Sequence, residues 1–186
     1  MDHNDVAEDL VEVLLTAAEI DAKLDEIAVQ IDADYAGEDL LLVGVLKGAT
    51  MVMADLARKL RTPAAIEWMA ISSYGSGSSS SGVVRILKDL DTDIAGRNVL
   101  VVEDVLDSGL TLDWLRRNLG ARGARSLRVM TLLRKPEAVA NGIEVDYLGF
   151  DIGDEFVVGY GLDFAERYRN LECLATLHPR VVAGGS

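Results

Sequence analysis

The run Asn98 to Thr111, NVLVVEDVLDSGLT, is apolar for four residues after Asn98 and then stops at two adjacent carboxylates, Glu103 and Asp104. A short, continuously apolar segment is the pattern of a strand buried on both faces of a parallel sheet. In open α/β sheets, ligands bind beyond the carboxyl ends of such strands. Glu103 and Asp104 therefore fall where a ligand sits. The residues that follow, Asp107-Ser108-Gly109-Leu110-Thr111, offer successive peptide N–H groups, two hydroxyls and a glycine free to take positive φ, and they lead into a helix. That combination makes a phosphate cradle. Carboxylates just ahead of it suit the neighbouring hydroxyls of a sugar, or a magnesium ion beside them.

The same rhythm recurs along the chain. Thr16-Ala17-Ala18-Glu19 is a capping box, and Ile20, Leu24, Ile27, Ile31 and Tyr35 follow at helical spacing, so 17–35 reads as an amphipathic helix closed by Ala36-Gly37. Leu10 to Leu15 reads as a strand or extended segment beside the main sheet. Strands are expected at 39–46, 65–72, 98–103, 126–133 and 145–150, with helices at 50–60 and 110–119. Alternation of this kind predicts an α/β fold, a doubly wound parallel sheet with right-handed crossovers. The chain is read as one domain over 1–186, with a core at about 37–150. The chain ends, about 1–16 and 151–180, form a small cap or hood.

One stretch breaks the pattern. Ser72 to Gly82 is built almost wholly of serine and glycine around Tyr74. A polar loop of that length inside a compact domain reads as a mobile active-site lid, about 72–84.

Composition limits the classes of function. With 186 residues, about half of them apolar, the chain can bury a sizeable core. Cys173 is the only cysteine, so no intrachain disulfide can form and a reducing compartment is expected. Asp2, Asp5, Glu8 and Asp9 contrast with the basic start of a signal peptide, and no apolar run reaches the length of a membrane span. The reading is a cytoplasmic protein without a membrane partner. A net charge of −13 disfavours nucleic-acid binding through phosphate neutralisation. A polyphosphate ligand then requires magnesium and a local convergence of basic residues.

Candidates for that convergence follow the strands. Lys47-Gly48 lies after one strand and before a helix, at the same carboxyl edge as Glu103 and Asp104, and could hold a diphosphate. The block Asp154 to Phe164, DEFVVGYGLDF, mixes β-formers, glycines and aromatics. An aromatic face stacks on a nucleobase and backbone carbonyls accept from exocyclic amines, so Phe156 and Val157 suit a purine pocket.

In family order, Leu46-Lys47-Gly48, Ser73-Tyr74, Glu103 to Thr111, Lys135 and the Phe156 block resemble the type I phosphoribosyltransferases, specifically their 6-oxopurine branch. The resemblance spans about Leu46 to Arg169. It implies magnesium-dependent transfer of the 5-phosphoribosyl group from phosphoribosyl diphosphate to N9 of hypoxanthine or guanine. It assigns Glu103 and Asp104 to the ribose hydroxyls and the metal, with Asp163 near the metal too. Asp107, Ser108, Gly109, Leu110 and Thr111 would hold the 5′-phosphate, and Asp107 would accept the proton at purine N7. Lys47, Gly48 and Arg169 fall to the diphosphate, Lys135 to the purine 6-oxo group, and Ser73 with Tyr74 to a lid over the reacting centre. The family often carries a cis peptide at the position of Leu46-Lys47 and tends to form homodimers or homotetramers, and the sequence leaves both open for this chain.

Departures from the family pattern are Ala49, in place of a second glycine, and Ser108 and Leu110, in place of a threonine and a lysine. Two other readings remain open to test. A phosphoribosyl-diphosphate-sensing regulator would need a basic surface or an added DNA-binding domain, and neither is evident. Specificity for adenine or orotate is disfavoured by Lys135 and the Phe156 block.

Overall fold

The computed structural model describes residues 1–73, 84–142 and 144–184. A 3₁₀ helix, His3–Asp9, leads into strand β1 (Leu10–Leu15) and helix α1 (Ala17–Asp34). Then come β2 (Leu40–Leu46), α2 (Thr50–Lys59), β3 (Ala64–Ser73), β4 (Val84–Lys88), β5 (Asn98–Leu106) and α3 (Leu110–Gly120). The chain continues with β6 (Ser126–Arg134), α4 (Pro136–Ala140), β7 (Tyr147–Asp151), β8 (Val157–Val158), β9 (Leu174–Leu177) and α5 (Pro179–Gly184).

Six strands form the main sheet in the order β4-β3-β2-β5-β6-β7. β2 pairs in parallel with β3 and β5, and β6 pairs in parallel with β5 and β7. The expectation of a parallel sheet holds for these five strands and needs correction at one edge. β4 runs antiparallel to β3, Ser73 opposite Val84. A strand that returns directly after its neighbour needs no crossover helix, and the serine-glycine stretch between them offers no apolar face from which to build one.

Alternation explains why the central strands are apolar throughout. Leu40 and Leu42 of β2, with Leu100 and Val102 of β5, enter a core with Ile20, Leu24, Ile27 and Ile31 of α1 and Val52, Met53 and Leu56 of α2. Leu41, Val43, Val99 and Val101 point the other way, into a core with Leu112, Leu115 and Leu119 of α3. Each strand thus buries both faces. α1 begins at the expected capping box: Glu19 N–H donates to Thr16 Oγ1 at 3.3 Å, and Thr16 N–H to Glu19 Oε2 at 2.8 Å.

The hood is a separate three-stranded antiparallel sheet, β1-β9-β8, so the two ends of the chain do meet above the core. The extended piece at 10–15 is its edge strand. The expected lid lies largely outside the described residues: Ser72 and Ser73 close β3, but Tyr74 and the rest up to residue 83 are not among them.

Leu56 is fully buried between α2, α1 and the sheet. Leu56→Ala removes that packing and leaves a cavity, so denaturant unfolding should show a loss of about 2–5 kcal/mol.

Candidate active site

The parallel register carries the carboxyl ends of β2, β5 and β6 to one edge of the sheet, and the site is assembled there. Lys47 and Gly48 follow β2 across a cis Leu46-Lys47 peptide, a conformation the sequence leaves open. Glu103 and Asp104 lie in the carboxyl-terminal half of β5, with Glu103 opposite Thr131 of β6. Lys135 follows β6, and its peptide N–H donates to Leu106 O at 2.9 Å, which binds the two strand ends together.

Gly48 is required by a close approach. A Cβ there would lie 1.5 Å from Asp104 Oδ2, so the carboxylate of one strand end occupies the space a side chain would take on the next. On its other side, a Cβ on Gly161, whose φ is +103°, would lie 2.1 Å from Gly48 O. The hood loop therefore rests directly on the backbone of the β2 turn.

Two adjoining cavities open around Asp104. One, about 240 Å³, is lined by Glu103, Asp104, Asp107, Ser108, Gly109 and Thr111, with Val45 and Ile71 beneath. Gly109 caps α3 in the left-handed conformation, φ +84°. The turn is braced by Asn141, whose Nδ2 donates to Ser108 O at 3.0 Å. The turn lines the cavity with the residues singled out in the sequence, with one exception. Leu110 is 47% exposed and does not line the cavity, so its contribution is confined to backbone.

The second cavity, about 360 Å³, is lined by Lys47, Gly48, Asp104, Asp107, Lys135, Phe156, Val157, Asp163 and Arg169, joined by Val105 and Leu162. Lys135 Nζ lies 3.7 Å from Asp107 Oδ1. Phe156 is half exposed and meets Phe164 edge-on at 5.8 Å, leaving a ring face free. Arg169 Nη2 approaches Asp163 Oδ1 at 2.6 Å, while Nη1 donates to Gly161 O at 2.8 Å. Apart from Leu110, and with Tyr74 outside the described residues, the site residues from Lys47 to Gly48 and from Glu103 to Arg169 therefore line one cavity or the other. Ser73 ends β3.

Sequence reasoning misses Glu166, which both Lys47 and Arg169 engage. Its signal was the spacing Asp163, Glu166, Arg169, three residues apart each time. It also misses Asn141, which no local pattern marks.

The electrostatics favour a cation. Burial raises the pKa of Glu103 well above the ordinary glutamate value, and neighbouring Asp104 adds to the effect. Asp104 is raised by burial as well, eased by its bond from Val105 N–H and by Arg169 and worsened by Asp163. Among the described residues no three His, Cys, Asp or Glu side chains gather closely enough to hold a metal by themselves. Magnesium commonly takes one or two carboxylates and completes its shell with substrate oxygens and water. Desolvated, mutually repelling carboxylates at the mouth of a cavity fit that mode.

Glu103 also makes stability depend on pH. Its raised pKa means the folded, ligand-free chain holds this proton more tightly than the unfolded chain. That contribution is complete below the ordinary value of 4.5 and is lost as pH rises through the folded value. Glu103→Gln should therefore stabilise the metal-free, ligand-free protein by about 1–3 kcal/mol at pH 7.5. Thermal melts at several pH values should show the gain shrinking towards pH 4.5.

Comparison with known proteins agrees with the geometry. Residues 11–165 match the family described as Phosphoribosyl transferase domain. A hypoxanthine-guanine phosphoribosyltransferase of Mycobacterium tuberculosis is 60% identical over 179 residues, covering 93% of this chain and 89% of the relative. One from Bacillus subtilis is 45% identical over 173 residues, covering 93% and 96%. The crystal structure of a hypoxanthine phosphoribosyltransferase from Staphylococcus aureus superposes with a TM-score of 0.91 at 45% identity, covering 95% of this chain and 96% of that one. Matched by the family over most of its length and sharing sequence and fold with these relatives, this chain belongs to the phosphoribosyltransferase family, among the hypoxanthine-guanine phosphoribosyltransferases.

Proposed function

We propose that the chain salvages purines, transferring the 5-phosphoribosyl group from phosphoribosyl diphosphate to N9 of hypoxanthine or guanine and releasing IMP or GMP with diphosphate. The observation that carries this reading is the position of Asp107. It lines both the phosphate cradle and the cavity holding Lys135 and Phe156. A sugar phosphate seated in the first cavity and a base in the second would meet beside it.

The transfer breaks the C1′–O bond as the base attacks, so positive charge develops on the ribose while the diphosphate departs. The Asp107-to-Thr111 turn anchors the 5′-phosphate through backbone N–H groups and hydroxyls. Glu103 and Asp104 take the ribose hydroxyls, and their negative field favours the developing cation. Lys47, the Gly48 backbone and Arg169 receive the leaving diphosphate. Lys135 donates to the 6-oxo group, Phe156 stacks on the base, and Val157 offers backbone to its edge. Asp107 takes the proton from N7, which strengthens N9 as a nucleophile. Ser73 and Tyr74 are proposed to close over the reacting centre and exclude water. Magnesium, held by Glu103, Asp104 and Asp163 together with the substrate, would neutralise charge on the diphosphate.

No described helix is long and apolar enough to cross a membrane. A cytoplasmic homodimer or homotetramer, without nucleic-acid partners, completes the proposal.

The reading is tested by initial rates with phosphoribosyl diphosphate against hypoxanthine, guanine, xanthine and adenine, with and without magnesium. Magnesium-dependent turnover of the first two is expected, and turnover of adenine alone would overturn it. Asp107→Asn should lower kcat by about 10²–10⁴-fold, with the KM for phosphoribosyl diphosphate changed only a few-fold. Unchanged kcat would remove Asp107 from the proton transfer.

A further inference from the structure

Glu166 has no part in the mechanism above, yet it engages both cations assigned to the diphosphate. Lys47 Nζ donates to its two carboxylate oxygens, each at 3.1 Å. Arg169 Nη2 lies 3.4 Å from Oε2. Lys47 and Glu166 are 119 residues apart in the chain, one on the core and one on the hood, so no local helix or turn explains the pairing. The loop is shaped to make it. Glu166 stands in the left-handed region at φ +61°, and its N–H donates to Asp163 Oδ2 at 2.9 Å. Lys47, followed by Arg169, lowers the pKa of Glu166, so the group is ionised at neutral pH.

The Glu166 side chain is 64% exposed, so burial does not hold it against the two cations. Arg169, by contrast, is held by partners that a ligand need not disturb. Asp163 and the Gly161 carbonyl fix its guanidinium. Glu166 is thus the replaceable anion over one fixed cation, Arg169, and one exposed cation, Lys47, that it alone orients among the described residues. A carboxylate bridging a lysine and an arginine presents the same chemistry as one phosphoryl group of a diphosphate, with less charge.

We propose that Glu166 is an internal substitute for the diphosphate. Its carboxylate occupies Lys47 and Arg169 when the cleft lacks substrate, is displaced when phosphoribosyl diphosphate or free diphosphate enters, and re-forms its pairs as product diphosphate leaves. The device keeps both cations oriented and prevents product from binding too tightly. It rests on the assignment of Lys47 and Arg169 to the diphosphate. Because the displaced pairs are solvent-exposed, their competition is modest in size and sensitive to salt.

The test compares wild type with Glu166→Gln and Glu166→Ala, all confirmed as folded by circular dichroism and thermal melting. Three quantities are measured: the KM for phosphoribosyl diphosphate, the KM for hypoxanthine, and the inhibition constant of inorganic diphosphate competing with phosphoribosyl diphosphate. In both variants the inhibition constant and the KM for phosphoribosyl diphosphate should fall together by about three- to tenfold. The KM for hypoxanthine should stay within about twofold, and the difference from wild type should shrink in 0.5 M salt, roughly as screening requires. A merely structural role would not tighten diphosphate binding or make the change depend on salt. Diphosphate constants that stay the same or rise, while wild type still shows competition, overturn the role of Glu166 alone. Absence of competition in wild type overturns the diphosphate assignment and this proposal with it.

Discussion

The cleft depends on how closely backbone and carboxylate approach one another at Gly48. Asp104 presses on one side of that glycine and the Gly161 loop on the other, each nearer than a side chain would allow. This contact joins three parts of the chain that otherwise share no covalent logic: the end of β2, the end of β5 and the hood. The core holds the two strands in register. The hood is then positioned by a loop resting on the β2 turn, which brings Asp163, Glu166 and Arg169 over Lys47 and Asp104.

That arrangement has an electrostatic cost, and the site is organised around it. Glu103 and Asp104 are carboxylates removed from water, where the charged form is disfavoured. They lie next to Arg169 and across from a turn rich in peptide N–H groups. A substrate bearing phosphates and accompanied by a divalent cation supplies the compensating partners that the protein alone does not. The chain's large negative charge is therefore no obstacle, because the cations proposed to meet the substrate, Lys47, Lys135 and Arg169, converge on one cavity. Local potential and overall charge part company at the carboxyl edge of the sheet.

Some features were legible because their signal is local. α1 follows from a capping box and a 3.6-residue apolar period, and both faces of β5 follow from its unbroken apolar run. The phosphate turn follows from glycine and hydroxyl residues placed directly after a strand. The antiparallel edge strand β4 was not legible in this way, because its five residues carry no period that fixes a partner or a direction. The two residues of β8 are recognisable as strand only through their pairing with β9. Leu110 was grouped with its neighbours by sequence position, and only the geometry of the helix start turns its side chain away from the cradle.

Local sequence encodes the alternation of elements, the three carboxylates and the turn at the end of β5, and the identity of the basic and aromatic residues that a phosphoribosyl and purine site requires. These are properties of short windows, where periodicity and residue chemistry are sufficient. Only the tertiary structure decided which of those residues meet. Lys47 faces Glu166, Asp104 lies against Gly48, and Gly161 caps the same turn, because burial of both sheet faces fixes the strand order and the hood then has one place to rest. Contacts between residues more than a hundred positions apart are set by packing, and no local pattern encodes them.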